Sequence, residues 1–275
     1  MKTEAISPAI GTVVHVEKAA LRDDEIARRC LDLLEERGVL VFPRIGLNDA
    51  EQLAFTDKLG ARVNFTSRVP GGNKSSQDVY TITLDPKVNT EPEYVLGTYF
   101  WHMDGLTSPI LPPKASVLSA RTVAAKGGQT EFASSYAAYE ALPDEDKKDI
   151  EGLRVVHSVT AAVRAVTTPD AIDPIRRNMS HEHPLVWKRQ SGRSTMLIGY
   201  TADSVVGMSQ AEGRALLARL LEWTAQPAFT YRHHWQVGDL VIWDNTGALH
   251  RVVPYAADSG RRMHRTSVAG AEIVT

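Results

Sequence analysis

Residues 238–251 read Gly238-Asp-Leu-Val-Ile-Trp-Asp-Asn-Thr-Gly-Ala-Leu-His-Arg251. Leu240 to Trp243 is a short apolar run with β-branched and aromatic members, which predicts a buried strand. Asn245, Thr246 and Gly247 form a turn-rich break. A second strand follows and carries His250. Similar runs recur on either side of this unit, near residues 39–42, 79–83, 115–120, 128–132, 153–159, 195–198, 231–235 and 263–268. Many short strands separated by turns predict a mainly β chain with flanking helices, built as a sandwich or jelly roll.

The helices lie between these runs. Asp23 or Asp24 can cap one that runs to about Glu36 and stops at Gly38. Asn48 can cap a second that ends near Gly60. Residues 135–142 are helical until Pro143, with a continuation to about Ile150. Ser209, with Glu212 three residues on, is a capping-box signature. Leu216, Leu217, Leu220, Leu221 and Trp223 then give that helix a core face. Residues 64–98 are rich in Gly, Asn, Ser, Pro and charge, and predict a long active-site loop with strand fragments. No composition break marks a boundary, so residues 1–275 are expected to form a single domain.

The bulk numbers exclude several classes. Of 275 residues, 43% are hydrophobic and 23% charged, enough for a large core without metal or disulfide support. The net charge of −2 gives no basic surface for nucleic acid or membrane. Cys30 is the sole cysteine, so no intramolecular disulfide forms. It lies in a helical pattern beside Leu31 and Leu34 and reads as a buried thiol. The first residues lack the apolar segment of a signal peptide, and no stretch of about 18 apolar residues occurs. A cytoplasmic protein is expected.

Two ligand-bearing segments stand out. In Phe100-Trp-His-Met-Asp-Gly105, an extended strand would turn His102 and Asp104 to the same face. An imidazole and a carboxylate from one strand plus one distant His make a 2-His-1-carboxylate triad. That set leaves positions open on Fe(II) for oxygen chemistry. His250 is the distant His. Eleven residues after it begins Arg261-Arg-Met-His-Arg265. On a strand, Arg261, Met263 and Arg265 share a face, with the two arginine backbones about 13 Å apart. Buried arginines require anions, and their planar forks suit carboxylates. His264 should point away from the site. Of His233 and His234 only one can face inward, and both read as structural. His157 fits a core or a pocket role. His181 and His183 fall in a loop-like stretch as weak candidates for substrate contact.

In these motifs the chain resembles the taurine dioxygenase / 2,4-dichlorophenoxyacetate dioxygenase (TauD/TfdA) family of Fe(II)- and 2-oxoglutarate-dependent enzymes. The resemblance runs from the 38–42 segment to Gly270. It is carried by Trp101-His102-Met-Asp104, Gly127-Gly-Gln-Thr130, residues 137–142, Trp243-Asp-Asn245, His250-Arg251 and Arg261 to Arg265. It implies a double-stranded β-helix and iron bound by His102, Asp104 and His250. It implies that Arg261 and the Thr130 hydroxyl hold the far carboxylate of 2-oxoglutarate. Arg265 matches a position that in relatives helps bind 2-oxoglutarate or the anionic head of the substrate. The presence of Asp104 disfavours halogenation. The implied reaction uses O2 and releases succinate and CO2, hydroxylating a small anionic organic substrate, with C–O or C–S cleavage where the new hydroxyl makes it possible. Homo-oligomers, dimers or tetramers, are the family habit. Relatives commonly carry Arg after Trp-Asp-Asn, where this chain has Thr246-Gly247. Arg68, Asn73 and Lys74 are the loop residues that suggest a small anion. A cupin-type metal-dependent hydrolase or isomerase is the alternative that the three ligands alone leave open, because ligand type does not choose the metal.

Overall fold

The computed structural model describes residues 1–63 and 79–275. Their order is β1 (Lys2–Ala5), β2 (Thr12–His15), α1 (Asp24–Arg37), β3 (Val39–Phe42), α2 (Asp49–Leu59), β4 (Tyr80–Ile82), α3 (Pro92–Gly97), β5 (Ala115–Thr122) and β6 (Thr130–Ser134). Then come α4 (Ser135–Glu140), α5 (Asp144–Ile150), β7 (Arg154–Ser158), α6 (Val159–Val163), α7 (Pro174–Arg177), β8 (Ser180–Pro184), β9 (Val186–Lys188) and β10 (Ser194–Met196). The chain closes with β11 (Ala202–Val205), α8 (Gln210–Thr224), β12 (Thr230–His233), β13 (Leu240–Asp244), β14 (Ala248–Val252) and β15 (Arg262–Val268).

Local chemistry sets the helix ends. The Asp23 carboxylate accepts from the Glu25 and Ile26 amides, and Gly38 ends α1 in the left-handed region at φ 70°. Asn48 with Glu51, and Ser209 with Glu212, form complete capping boxes on α2 and α8. The helix expected to stop at Pro143 and resume to about Ile150 is found as α4 and α5, because Pro143 lacks the amide that would continue the first.

The main sheet runs β1-β2-β3-β13-β5-β15-β4. Its central strands are buried on both faces, and alternation sorts their side chains. Leu40, Phe42, Leu240, Ile242, Ala115 and Val117 meet Cys30, Leu34 and Phe55 of α1 and α2. Val39, Val41, Val241, Trp243, Leu118 and Met263 meet Phe132 of a smaller sheet, β12-β6-β14. Beyond the small sheet, Ala133 and Leu249 pack with Leu217 and Leu220 of α8. The result is a mainly β protein of stacked sheets with helices outside. No helix among the described residues is long and apolar enough to cross a membrane.

The structure corrects several sequence expectations. In the described part of the expected 64–98 loop, β4 falls where a strand fragment was expected, whereas α3, started by Pro92 at its first turn, was not anticipated. Residues 64–78, with Arg68, Asn73 and Lys74, lie outside the described residues. His181 and His183 sit in β8 rather than a loop, paired with β7. His157 is fully buried in the core, bonded to the Thr201 hydroxyl and the Leu197 carbonyl. β1, β8 and β11 are mostly polar and carry no apolar run to reveal them.

The β13–β14 turn is packed without slack. A Cβ on Gly247 would fall 1.8 Å from the buried Tyr136 ring. Gly247→Ala should therefore lower stability by about 1–3 kcal/mol. Chemical denaturation followed by circular dichroism checks this, and an unchanged midpoint would contradict the packing described.

Candidate metal centre

His250 lies on β14, held in the small sheet by β6 on one side. On the other side it meets His102 through an isolated antiparallel bridge. The His102 amide donates to the His250 carbonyl at 3.1 Å, and the His250 amide donates back at 2.9 Å. Residues 101–105 are therefore not the strand expected from sequence. One bridge pair followed by a turn is enough to bring the ligands together. The side-chain ligand atoms of His102, Asp104 and His250 all lie within 4.8 Å of one another.

The electrostatics suit a divalent cation. Burial lowers His102, and burial with the neighbouring His102 ring holds His250 well below the usual imidazole range, so both rings are neutral donors. Burial alone would raise the Asp104 carboxyl. Arg265, the two imidazoles and the Ser116 hydroxyl outweigh it and bring it down to about 2. Metal ligands must be deprotonated, and this set already is. The Phe100 carbonyl lies 2.8 Å from His102 Nδ1 and orients that ring. His250 Nδ1 is buried, with no hydrogen-bond partner among the described residues.

Support for Asp104 comes from the main sheet. Trp243 Nε1 donates to Asn245 Oδ1 at 2.8 Å, Asn245 Nδ2 donates to Ser116 Oγ at 2.9 Å, and Ser116 Oγ donates to Asp104 Oδ2 at 3.1 Å. This relay gives the Trp-Asp-Asn motif a physical purpose. Ser116 escaped the sequence reading because a lone serine in an apolar strand carries no spacing signal. Arg265 Nη1 also reaches Asp104 Oδ2, at 3.4 Å, with its guanidinium near the Tyr80 ring.

Arg261 precedes β15, and a register shift separates Arg262 from Met263, so strand alternation alone does not place it. It is nonetheless 2% exposed, stacked on the Tyr255 ring at 4.8 Å. Among the described residues its Nη2 and the Tyr255 hydroxyl are buried with no hydrogen bond to any group besides each other. Gly128 lies against it, and a Cβ there would stand 3.0 Å from Arg261 Cδ and Nε. A buried guanidinium without an anion is costly, so these groups fit a carboxylate. Thr130 is buried in β6 and accepts from Trp235 Nε1 at 2.9 Å, leaving its own proton to donate.

Other residues sort as expected. His264 faces α2 and contacts Asp49 at 2.7 Å. His233 is buried against Asp239 at 3.1 Å, and His234 is exposed. Beside Thr246, Arg189 of the loop after β9 brings a buried guanidinium to the Thr246 and Tyr136 hydroxyls. Two cavities of about 210 and 190 Å³ meet at His102, Asp104 and Tyr200. Arg176 of α7 lines both and was missed. Asp173-Pro174, a cap followed by Pro at the first helical position, was the available signal for its helix.

The model of the family described as "Taurine catabolism dioxygenase TauD, TfdA family" matches residues 2–267. The chain is 36% identical over 270 residues to an alpha-ketoglutarate-dependent 2,4-dichlorophenoxyacetate dioxygenase of Cupriavidus pinatubonensis, covering 94% of this chain and 93% of that one. It is 30% identical over 254 residues to an alkylsulfatase of Acinetobacter baylyi, covering 89% of this chain and 76% of that one. The crystal structure of AAD-2 in complex with Mn(II) and N-oxalylglycine matches with a TM-score of 0.85 and 30% identity over 100% of both chains.

The relay predicts a measurable loss without touching a ligand. Ser116→Ala should weaken divalent-metal binding about tenfold or more by equilibrium dialysis, with the fold intact by circular dichroism. Unchanged metal affinity would remove Ser116 from the site.

Proposed function

The chain belongs to the TauD/TfdA family of dioxygenases, and on that premise we propose how its residues divide the work of an Fe(II)- and 2-oxoglutarate-dependent enzyme. Its cofactor set is ferrous iron, with 2-oxoglutarate and O2 as co-reactants. His102, Asp104 and His250 hold the iron. The observation that carries this is the convergence of His102, Asp104 and His250, with ligand atoms within 4.8 Å of one another and a carboxylate held ionised by Arg265. Bound iron with 2-oxoglutarate supplies O2 activation, coupled to decarboxylation of the cosubstrate to succinate and CO2.

The protein's own residues bind and orient. Arg261, with the Thr130 and Tyr255 hydroxyls, holds the far carboxylate of 2-oxoglutarate. Arg265 fixes Asp104 and stands ready for a second carboxylate, from cosubstrate or substrate. Tyr200 packs edge-on against His102, with ring centroids 5.5 Å apart, and walls the site from water. The core is a double-stranded β-helix, supported by the apposed main and small sheets. The single domain is supported by shared cores that link residues from both ends of the chain.

The substrate is a small organic anion, hydroxylated at a carbon presented to the iron. Support comes from the cationic lining by Arg176 and Arg265. It comes also from relatives named for phenoxyacetate and alkyl sulfate substrates. Hydroxylation next to oxygen lets such ethers or esters collapse with C–O cleavage. We place the protein in the cytoplasm as a homo-oligomer, on family analogy and a reduced, buried Cys30 whose thiol burial pushes up to about 12.

Anaerobic addition of Fe(II) and then 2-oxoglutarate should give a weak visible charge-transfer band. His250→Ala or Asp104→Ala should abolish it, as should a chelator. Arg261→Ala should weaken 2-oxoglutarate binding about 10- to 100-fold, the scale of a lost charge-assisted contact. Retention of zinc with no 2-oxoglutarate binding would instead favour a metal-dependent hydrolase.

A further inference from the structure

Two guanidiniums line the larger cavity, and they differ in what they already hold. Arg265 is engaged with Asp104. Arg176 sits at the junction of both cavities, with its side chain only 12% exposed. Its guanidinium lies over the Tyr94 ring, 3.7 Å from carbon to centroid. Among the described residues the acid in contact with it is Glu91, at 3.5 Å and 45% exposed, with Glu93 acting on it from farther away. A guanidinium carries five donors, and this contact uses one at the outer limit of hydrogen-bond length. The other donors are available to the cavities.

The smaller cavity has a different character. Val159, Val163, Val166, Ile172 and Met179 form an apolar wall, and His102 and Asp104 close its inner end. Arg176 is the cation common to this chamber and its polar neighbour. An apolar chamber with a metal centre at one end and a lightly held cation beside it is complementary to an amphiphile.

We propose that Arg176 is the specificity-determining residue for the primary substrate. It receives the single oxyanion head of an amphiphile whose apolar body fills the 190 Å³ chamber, leaving a carbon near the metal ligands. This assignment rests on the dioxygenase reading of the same site. The stacked Tyr94 ring holds the guanidinium plane, so that its fork meets a carboxylate or a sulfate ester alike. Arg265 is left to Asp104 and the cosubstrate side.

The test uses the full-length protein loaded anaerobically with Fe(II) and 2-oxoglutarate. Each anion is titrated beside a neutral counterpart: phenoxyacetate with phenoxyethanol, hexanoate with hexanol, and hexyl sulfate with hexyl methyl ether. Binding is read from the visible band and from tryptophan fluorescence. The wild type should prefer at least one anion over its counterpart by tenfold or more. Arg176→Met, which keeps length but removes charge, should cut that preference about 10- to 100-fold, and Arg176→Lys should restore part of it. Carboxylate and sulfate arms separate the two head groups. Equal weakening of anion and neutral counterpart would make Arg176 a structural strut, and a preserved preference in Arg176→Met would move the anion site elsewhere. Either result overturns the assignment, as does a wild type that prefers no anion, while the band itself still stands for the dioxygenase reading. No band in the wild type overturns both.

Discussion

The centre of this protein depends on one reciprocal pairing, the two backbone hydrogen bonds between His102 and His250. Backbone amides buried in a protein must be satisfied, and here each histidine satisfies the other. The bridge fixes the separation of the two rings, whose centroids lie 4.1 Å apart. It also docks the segment carrying Asp104 onto the small sheet. The main sheet then takes hold of Asp104 through Ser116 and Arg265. The ligands are therefore clamped between two sheets that share the Phe132–Trp243 core, with those rings 5.6 Å apart. A site supported from both sides by regular structure keeps its geometry better than one hung on loops.

Much of this was legible because the chemistry is tied to strong local signals. The runs of 39–42, 115–120 and 240–243 are mostly apolar, and every residue in them is buried. The capping residues Asp23, Asn48 and Ser209 are self-contained, so their helices begin where sequence places them. His102, Asp104 and His250 were legible as residue types at family spacing. The expectation that a strand sets the His102–Asp104 relation was wrong in detail. A single bridge residue carries no periodicity, so the sequence could not distinguish it from the start of a strand.

What stayed hidden depends on long-range contacts. Ser116 acts only because Asn245 and Asp104 converge on it from distant segments. Arg176 became relevant only when α7 packed against α6, which packs on α3, and brought its guanidinium over Tyr94. Arg189 supplies a guanidinium beside Thr246 from a strand connection that no local pattern links to it. Each of these is a tertiary solution to a polar group that would otherwise be buried unpaired.

Charge balance links the site to its substrate. Without added groups, Asp104 and Arg265 cancel, and Arg261 remains as an unmatched buried cation. A divalent metal and dianionic 2-oxoglutarate cancel each other, so the loaded site keeps the one positive charge that Arg261 brought. In a low-dielectric interior an uncompensated charge is expensive. A monoanionic substrate neutralises it, a neutral one leaves it standing, and a dianion reverses it. Arg176, paired loosely with an exposed Glu91, adds a cation whose own counter-charge can be left to solvent when substrate arrives. With Glu91 turned to solvent Arg176 raises the count to two, so net charge alone sets no limit of one; the apolar chamber does, because a second charge on the substrate body would have no partner there.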